Sequence, residues 1–259
     1  SPPSSSSTLY LYTDNTLMYT SFFADYGPLD LGFTFRFCRE METSMAEATK
    51  GKKSIVYYCI EDEGGHHRSN SAVLLCAYLI FVMKFSAEKA YEPFFGINPP
   101  FTPFRDAAFA TNTWPLFVMD CCLGFYRARK GGHFDYGTFD LDKFLYMQAL
   151  HNGDMSWVIE GKLLAFSGPL AKRRELASGE FTFTPEDYVP AFKKLGVTCV
   201  VRFNNKCYDR MIFERNGIRH CDLFYEDGGN PTEDILQAFL RLCETQPGAI
   251  AVHCKAGLG

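Results

Sequence analysis

The 259 residues carry a net charge of -4, are 47% hydrophobic and 22% charged, and include 25 Phe and 14 Tyr. That length suffices for two ordinary domains with a core each, and the composition is that of a folded chain rather than a disordered one. A mildly acidic chain lacks the broad basic field needed to neutralise nucleic-acid phosphates, so no nucleic acid is expected among its partners.

From the N-terminus, Ser1 to Thr8 is Ser/Pro-rich without a charged start or long apolar core, which reads as a disordered tail over 1–8 and not as a secretory signal. Ser54 to Cys59 is an apolar strand ending in cysteine, followed by a loop and a helix from Ser69 to Lys84. The apolar run inside that helix, Ala72 to Met83, is shorter than the ~20 residues that span a bilayer, so a buried helix is expected and no membrane. A loop follows from Gly96 to Pro103, then a helix from Thr113 to Lys130. The first domain is expected over 9–154 and the second over 155–259, with the boundary near Asp154.

In the second half, Thr184, Pro185, Glu186 and Asp187 open a helix carrying Tyr188, Ala191 and Phe192, which Gly196 closes as a left-handed cap. A buried strand follows at Val197 to Phe203. Asn230 as cap, Pro231 at the first position and Glu233 at the third predict a helix burying Ile235, Leu236, Phe239, Leu240 and Cys243. A second buried strand, Ala249 to His253, comes after Gly248. The alternation predicts an α/β fold with a mostly parallel sheet, whose ligands bind beyond the carboxyl ends of the strands. The strand-loop-helix of the first half repeats the plan, as in an internal duplication.

Ten cysteines lack both disulfide-framework and zinc-site spacing, so thiols in an intracellular protein are expected, with no metal. The chemistry gathers at the end of the chain. His253 and Cys254 lead from the last strand into Lys255, Ala256, Gly257, Leu258 and Gly259, a Gly-rich loop able to turn successive amides inward around a phosphate. The same field favours thiolate at Cys254, the nucleophilic form. Cleaving a phosphate monoester also needs a proton donor for the leaving oxygen. Asp227, in the loop before the last helix, is the candidate, with Glu226 and Asp222 as rivals. Taken singly, each feature has a plainer reading: a strand-end cysteine as a small hydrophobe, a glycine loop as a turn.

His253-Cys254 with the glycine loop resembles the signature of the dual-specificity phosphatases, His-Cys, five residues, then Arg. His-Cys-Lys-Ala-Gly-Leu-Gly more narrowly resembles the mitotic-exit phosphatases, the family numbered fourteen among the cell-division-cycle genes. Further segments are similar to that family in order: Phe22 to Leu29, Asn98-Pro99-Pro100 with Pro103 to Ala107, Asn152-Gly153-Asp154 with Trp157, and Leu164 to Pro169. The resemblance implies two tandem phosphatase-like domains, the first without an active site. In the first half, eight residues rather than five separate Cys59 from Arg68, and three of them are acidic, the wrong length and sign for phosphate. It further implies phosphoprotein substrates with phosphoserine before proline on targets of mitotic cyclin-dependent kinases, attack by Cys254, and proton donation by Asp227. The amides of Lys255 to Gly259 would hold the phosphate, and no cofactor would be needed. A nuclear and cytoplasmic location, and a second copy of the chain as a further partner, follow from the same source.

Lys143, Gln148 and His151 stand where animal members carry carboxylates ahead of the Asn-Gly-Asp segment, which predicts a weaker requirement for a basic residue beyond the proline. The signature arginine falls one position after Gly259, so the 259 residues alone are expected to be inactive. A phosphoprotein-binding scaffold and a lipid or inositol phosphate phosphatase are the alternatives. Leu258, where tensin-related lipid phosphatases place a second lysine, argues against the latter.

Overall fold

The computed structural model describes residues 7–60, 62–107, 111–112, 114–176, 178–227 and 229–255. The chain divides into two compact units, Ser1–Leu141 and Asp142–Gly259.

The first unit pairs strands β1 (Thr8–Tyr12) and β2 (Ser54–Tyr58) in parallel, Thr8 opposite Ser54 through Tyr12 opposite Tyr58. Helix α1 (Leu31–Gly51) starts where the Asp30 carboxylate accepts the Phe33 amide at 2.8 Å, satisfying a donor the helix itself cannot. Its Phe37, Cys38 and Met41 pack on Leu74 and Tyr78 of α2 (His66–Phe81). The other side of α2 buries Ala72, Cys76 and Ile80 against α3 (Ala87–Tyr91) and α4 (Val118–Lys130), which contributes Val118, Cys121 and Cys122. Helix α4, within the segment Thr113 to Lys130, is thus a wall of the first core, because these three side chains are buried in it.

The boundary also falls earlier than Asp154. Helix α5 (Leu141–Gln148) places Met147, and strand β3 (Met155–Ile159) places Met155, in the apolar cluster of the second unit, so both elements belong to that core. A five-stranded sheet runs in the order β3, β4 (Leu163–Phe166), β7 (Ala249–His253), β5 (Val197–Arg202), β6 (Arg219–Asp222). Only β3 and β4 are antiparallel. Alternation along the central β7 feeds two cores. Ala249 and Ala251 face the cluster of α6 (Pro185–Lys194), with Tyr188 and Phe192. Ile250 and Val252 face α8 (Glu233–Thr245), with Phe239 and Leu242. A short helix α7 (Met211–Arg215) precedes β6.

Helix α6 opens as its sequence predicts: the Asp187 carboxylate accepts both the Thr184 amide, at 2.8 Å, and the Thr184 hydroxyl, at 2.9 Å. Helix α8 differs from expectation. Its N-cap is Thr232, whose carbonyl accepts the Leu236 amide at 2.9 Å, and this places Glu233 and Asp234 in the first turn, beside the positive end of the dipole. Its half-buried stripe is Ile235, Phe239 and Cys243, with Leu242 buried. Leu236 and Leu240, one position round the helix, are 38% and 43% exposed. Among the described residues no helix is long and apolar enough to cross a membrane.

Candidate active site

The central strand β7 ends at His253, and Cys254 stands one residue beyond its carboxyl end, half-buried, with Lys255 exposed after it. Ala256, Gly257, Leu258 and Gly259, the remainder of the expected phosphate loop, lie outside the described residues. The backbone at Cys254 is held from two sides. On one, the loop after β4 brings Gly168 so close that its amide donates to the Lys255 carbonyl at 3.2 Å, and a β-carbon on Gly168 would stand 2.4 Å from the Cys254 carbonyl oxygen. No side chain fits there. On the other, His253 Nδ1 lies 2.8 Å from that same oxygen.

The approach of Gly168 is itself braced. The Tyr188 hydroxyl on α6 lies 2.8 Å from the Gly153 carbonyl and 2.9 Å from the Ser167 carbonyl, donating across both. Two segments that the sequence singles out separately, Asn152-Gly153-Asp154 and Ser167-Gly168-Pro169, are therefore tied together by one buried tyrosine.

His253 belongs to a chain of polar side chains inside the sheet. Burial, against the opposing hydrogen bond to the Cys254 carbonyl and helped by the charge of Arg202, pushes the His253 imidazole down to about 4, and burial with the charge of Arg202 brings His220 down to about 4. Both rings are neutral at physiological pH. A carbonyl oxygen only accepts, so His253 Nδ1 carries the proton toward Cys254 and its Nε2 accepts from the Tyr208 hydroxyl at 2.7 Å. That hydroxyl then accepts from His220 Nε2 at 2.8 Å. The polarity of the chain is fixed at its Cys254 end.

Arg202, 1% exposed at the end of β5, lies in register with His253 of β7 and Asp222 of β6. Its Nε donates to Asp222 Oδ1 at 2.8 Å and its Nη1 to the Tyr208 carbonyl at 3.0 Å, while the guanidinium sits over the Tyr208 ring. Burial alone would raise the Asp222 carboxyl, but the Arg202 hydrogen bond and charge, with Lys206, bring it below its ordinary value. A carboxylate held ionised by a buried arginine is a poor proton donor, which removes Asp222 as a rival to Asp227.

Asp227 itself is exposed, as is Glu226. Beyond β6, the Leu223 amide donates to Arg202 and the Tyr225 amide to the Phe203 carbonyl, so the loop bearing Asp227 leaves the sheet at the same carboxyl edge as Cys254. Tyr225 registers both groups: burial first, then neighbouring Cys254 and Asp227, raise its phenol.

The counterpart in the first unit is arranged otherwise. Cys59 stands one residue beyond β2 as Cys254 does beyond β7, but burial, followed by the charges of Asp14 and Asp62, raises its thiol despite a hydrogen bond from Ser71. The Asp62 carboxylate accepts the His66 and His67 amides at 2.9 and 3.0 Å, filling the anion position at the start of α2 with the chain's own charge. Arg68 turns away to donate to the Pro99 carbonyl at 2.6 Å. His66 and His67 form the first turn of α2. Elsewhere, Arg173 is tied to Asp187, Lys143 to Glu160, and His151 lies 3.2 Å from Glu180. Among the described residues no group of three or more His, Cys, Asp or Glu could hold a metal ion.

Of the expected site residues, the structure thus gathers His253, Cys254 and Lys255 at one strand end and directs the Asp227 loop to the same edge. Arg202, Tyr208, His220 and Gly168 are additions. Arg202 had a signal, a lone charge closing an otherwise apolar strand; Tyr208 and His220 had none.

A family model described as "Dual specificity protein phosphatase, N-terminal half" matches residues 1–128. Over the whole chain, the sequence is 42% identical to the dual specificity protein phosphatase CDC14A of Homo sapiens, of which it covers 43%. It is 37% identical to CDC14B of Mus musculus, covering all of this chain and 53% of that protein. Against the tyrosine-protein phosphatase cdc-14 of Caenorhabditis elegans it is 34% identical over 97% of the chain and 36% of the relative. This is the class of dual specificity protein phosphatases. Within that class, the chain belongs to the CDC14 family. It spans about half the length, or less, of these curated relatives.

Proposed function

We propose that the protein hydrolyses phosphate monoesters on proteins through a phosphocysteine. The observation that carries this reading is the placement of Cys254 at the carboxyl end of the central buried strand, its carbonyl held by His253 and crowded by Gly168. The Cys254 thiolate attacks phosphorus and the phosphorus-oxygen bond to the side chain breaks. Asp227 gives its proton to the leaving oxygen. Water then attacks the phosphocysteine with Asp227 as base, releasing inorganic phosphate and restoring the thiolate. Kinship with CDC14 members supports the dual-specificity reading.

The finer reading rests on family resemblance: phosphoserine before proline on cyclin-dependent kinase targets, a role in mitotic exit, a location in nucleus and cytoplasm, and self-association. Lys143, Gln148 and His151 support a weak requirement for a basic residue beyond the proline. Turnover of matched phosphoserine-proline peptides by the full-length protein tests both points. Threefold or smaller loss on removing the basic residue is expected; a loss of a hundredfold contradicts the weak requirement. Equal turnover without the proline contradicts the Ser-Pro preference. Replacing Cys254 by Ser should abolish turnover without moving the melting temperature, and residual turnover would overturn the nucleophile assignment.

A further inference from the structure

In the first unit a cavity of about 350 Å³ is lined by residues that follow the carboxyl ends of β1 and β2, the position at which the second unit carries Cys254. Among the described residues its lining holds two carboxylates, Asp14 and Asp62, with the imidazoles of His66 and His67, and no lysine or arginine. Asp62 is spent on the amides of α2. Asp14 is not. Its side chain is only 6% exposed; Oδ2 accepts the Ile60 amide at 2.8 Å and lies 3.4 Å from His67 Nδ1, whereas Oδ1 accepts no hydrogen bond among the described residues.

A nearly buried carboxylate without a permanently charged partner is costly, and the cost falls when a cation enters beside it. An anion would meet two negative charges. The remaining walls suit a long cationic side chain: Leu17, Leu29 and Leu74 offer apolar surface to its stem, and the ring of Tyr19 lies within the lining. Such walls favour a planar guanidinium over a compact ammonium. We propose that this cavity is a binding site for an arginine side chain presented by a polypeptide, so that the first unit reads positive charge on a protein partner where its sister unit reads phosphate. All the residues concerned lie in the first unit, so the inference does not depend on the chemistry at Cys254.

The test is isothermal titration of the full-length protein, at low salt, with a short arginine peptide and with the same peptide carrying neutral citrulline. The arginine peptide is expected to bind at least tenfold more tightly. Asp14→Asn should weaken it tenfold or more. Asn15→Arg, an exposed lining position, should block it by placing a cation beside Asp14, with an unchanged melting temperature confirming the fold should Asp14→Asn prove unstable. Equal affinity for the citrulline peptide would overturn the proposal, as would undiminished arginine-peptide binding by the folded Asn15→Arg variant. Absence of arginine-peptide binding to wild type up to ~10 mM would do the same.

Discussion

The amide of Gly168 donates to the carbonyl oxygen of Lys255 at 3.2 Å, while the Cys254 carbonyl oxygen lies 2.4 Å from where a Gly168 β-carbon would stand. That distance is shorter than any non-bonded carbon and oxygen tolerate, and both atoms in conflict are backbone or bound to it. Gly168→Ala is therefore expected to push the Cys254 backbone away, lowering turnover of an aryl phosphate about 100-fold, as a misplacement near 1 Å does elsewhere. Steady-state kinetics on the full-length protein check this, and wild-type turnover would contradict it.

Tyr208 supplies the proton that His253 Nε2 accepts. Tyr208→Phe leaves that buried nitrogen without a donor, at a cost of about 1–3 kcal/mol. The Cys254 carbonyl still holds the proton on Nδ1, so the ring keeps its tautomer but loses the hydrogen bond that orients it from the other side. The expected outcome is a fall in kcat of about tenfold with little change in KM, together with a changed His253 Nδ1 and Nε2 signature in nitrogen NMR. Loss of stability with an unchanged kcat would make Tyr208 purely structural.

Asp222 and Asp227 separate into a structural and a chemical carboxylate. Asp222→Asn leaves the Arg202 guanidinium buried without its anion, which should destabilise the protein by about 3–5 kcal/mol. Asp227→Asn, at an exposed loop, should leave the melting temperature unchanged but reduce turnover by about 10²–10⁴. Denaturation and kinetics on the pair decide it; the reverse pattern would exchange the roles.

Two neutral buried histidines make the second unit sensitive to acid. The unfolded chain binds protons at His220 and His253 near 6.5, whereas the folded unit binds them only near 4. Their contribution is fully present above pH 6.5 and is lost as pH falls toward 4, about 2 kcal/mol per ring by pH 5. Of the two tryptophans, Trp114 and Trp157, the latter lies in the second unit. Urea titrations followed by Trp157 fluorescence in a Trp114→Phe background should show a midpoint falling between pH 7 and 5. A flat midpoint would mean that the rings are charged in the folded unit.

Much of this was legible in the sequence where local chemistry decides. Strand β7 and the opening of α6 follow from an apolar run after Gly248 and from Thr184 with Asp187. Helix α8 starts two residues later than its sequence predicts, since Asn230-Pro231 and Thr232-Glu233 are both acceptable openings and only the carbonyl that the Leu236 amide reaches distinguishes them. The unit boundary falls earlier than the sequence predicts because Met147 and Met155 reveal their core only in three dimensions. At the site, Cys254 and His253 announce themselves as neighbours. Arg202, Tyr208 and His220 are brought to His253 by register between parallel strands and by the turn that returns Tyr208, which no local pattern encodes.

The most direct test of the central claim is acid-quench mass spectrometry of the full-length Asp227→Asn variant during turnover of an aryl phosphate, whose good leaving group needs no proton for the first step. A phosphoryl group is expected on the peptide containing Cys254, absent from the Cys254→Ser variant. Turnover without a phosphorylated Cys254, or with phosphate on another residue, would contradict it.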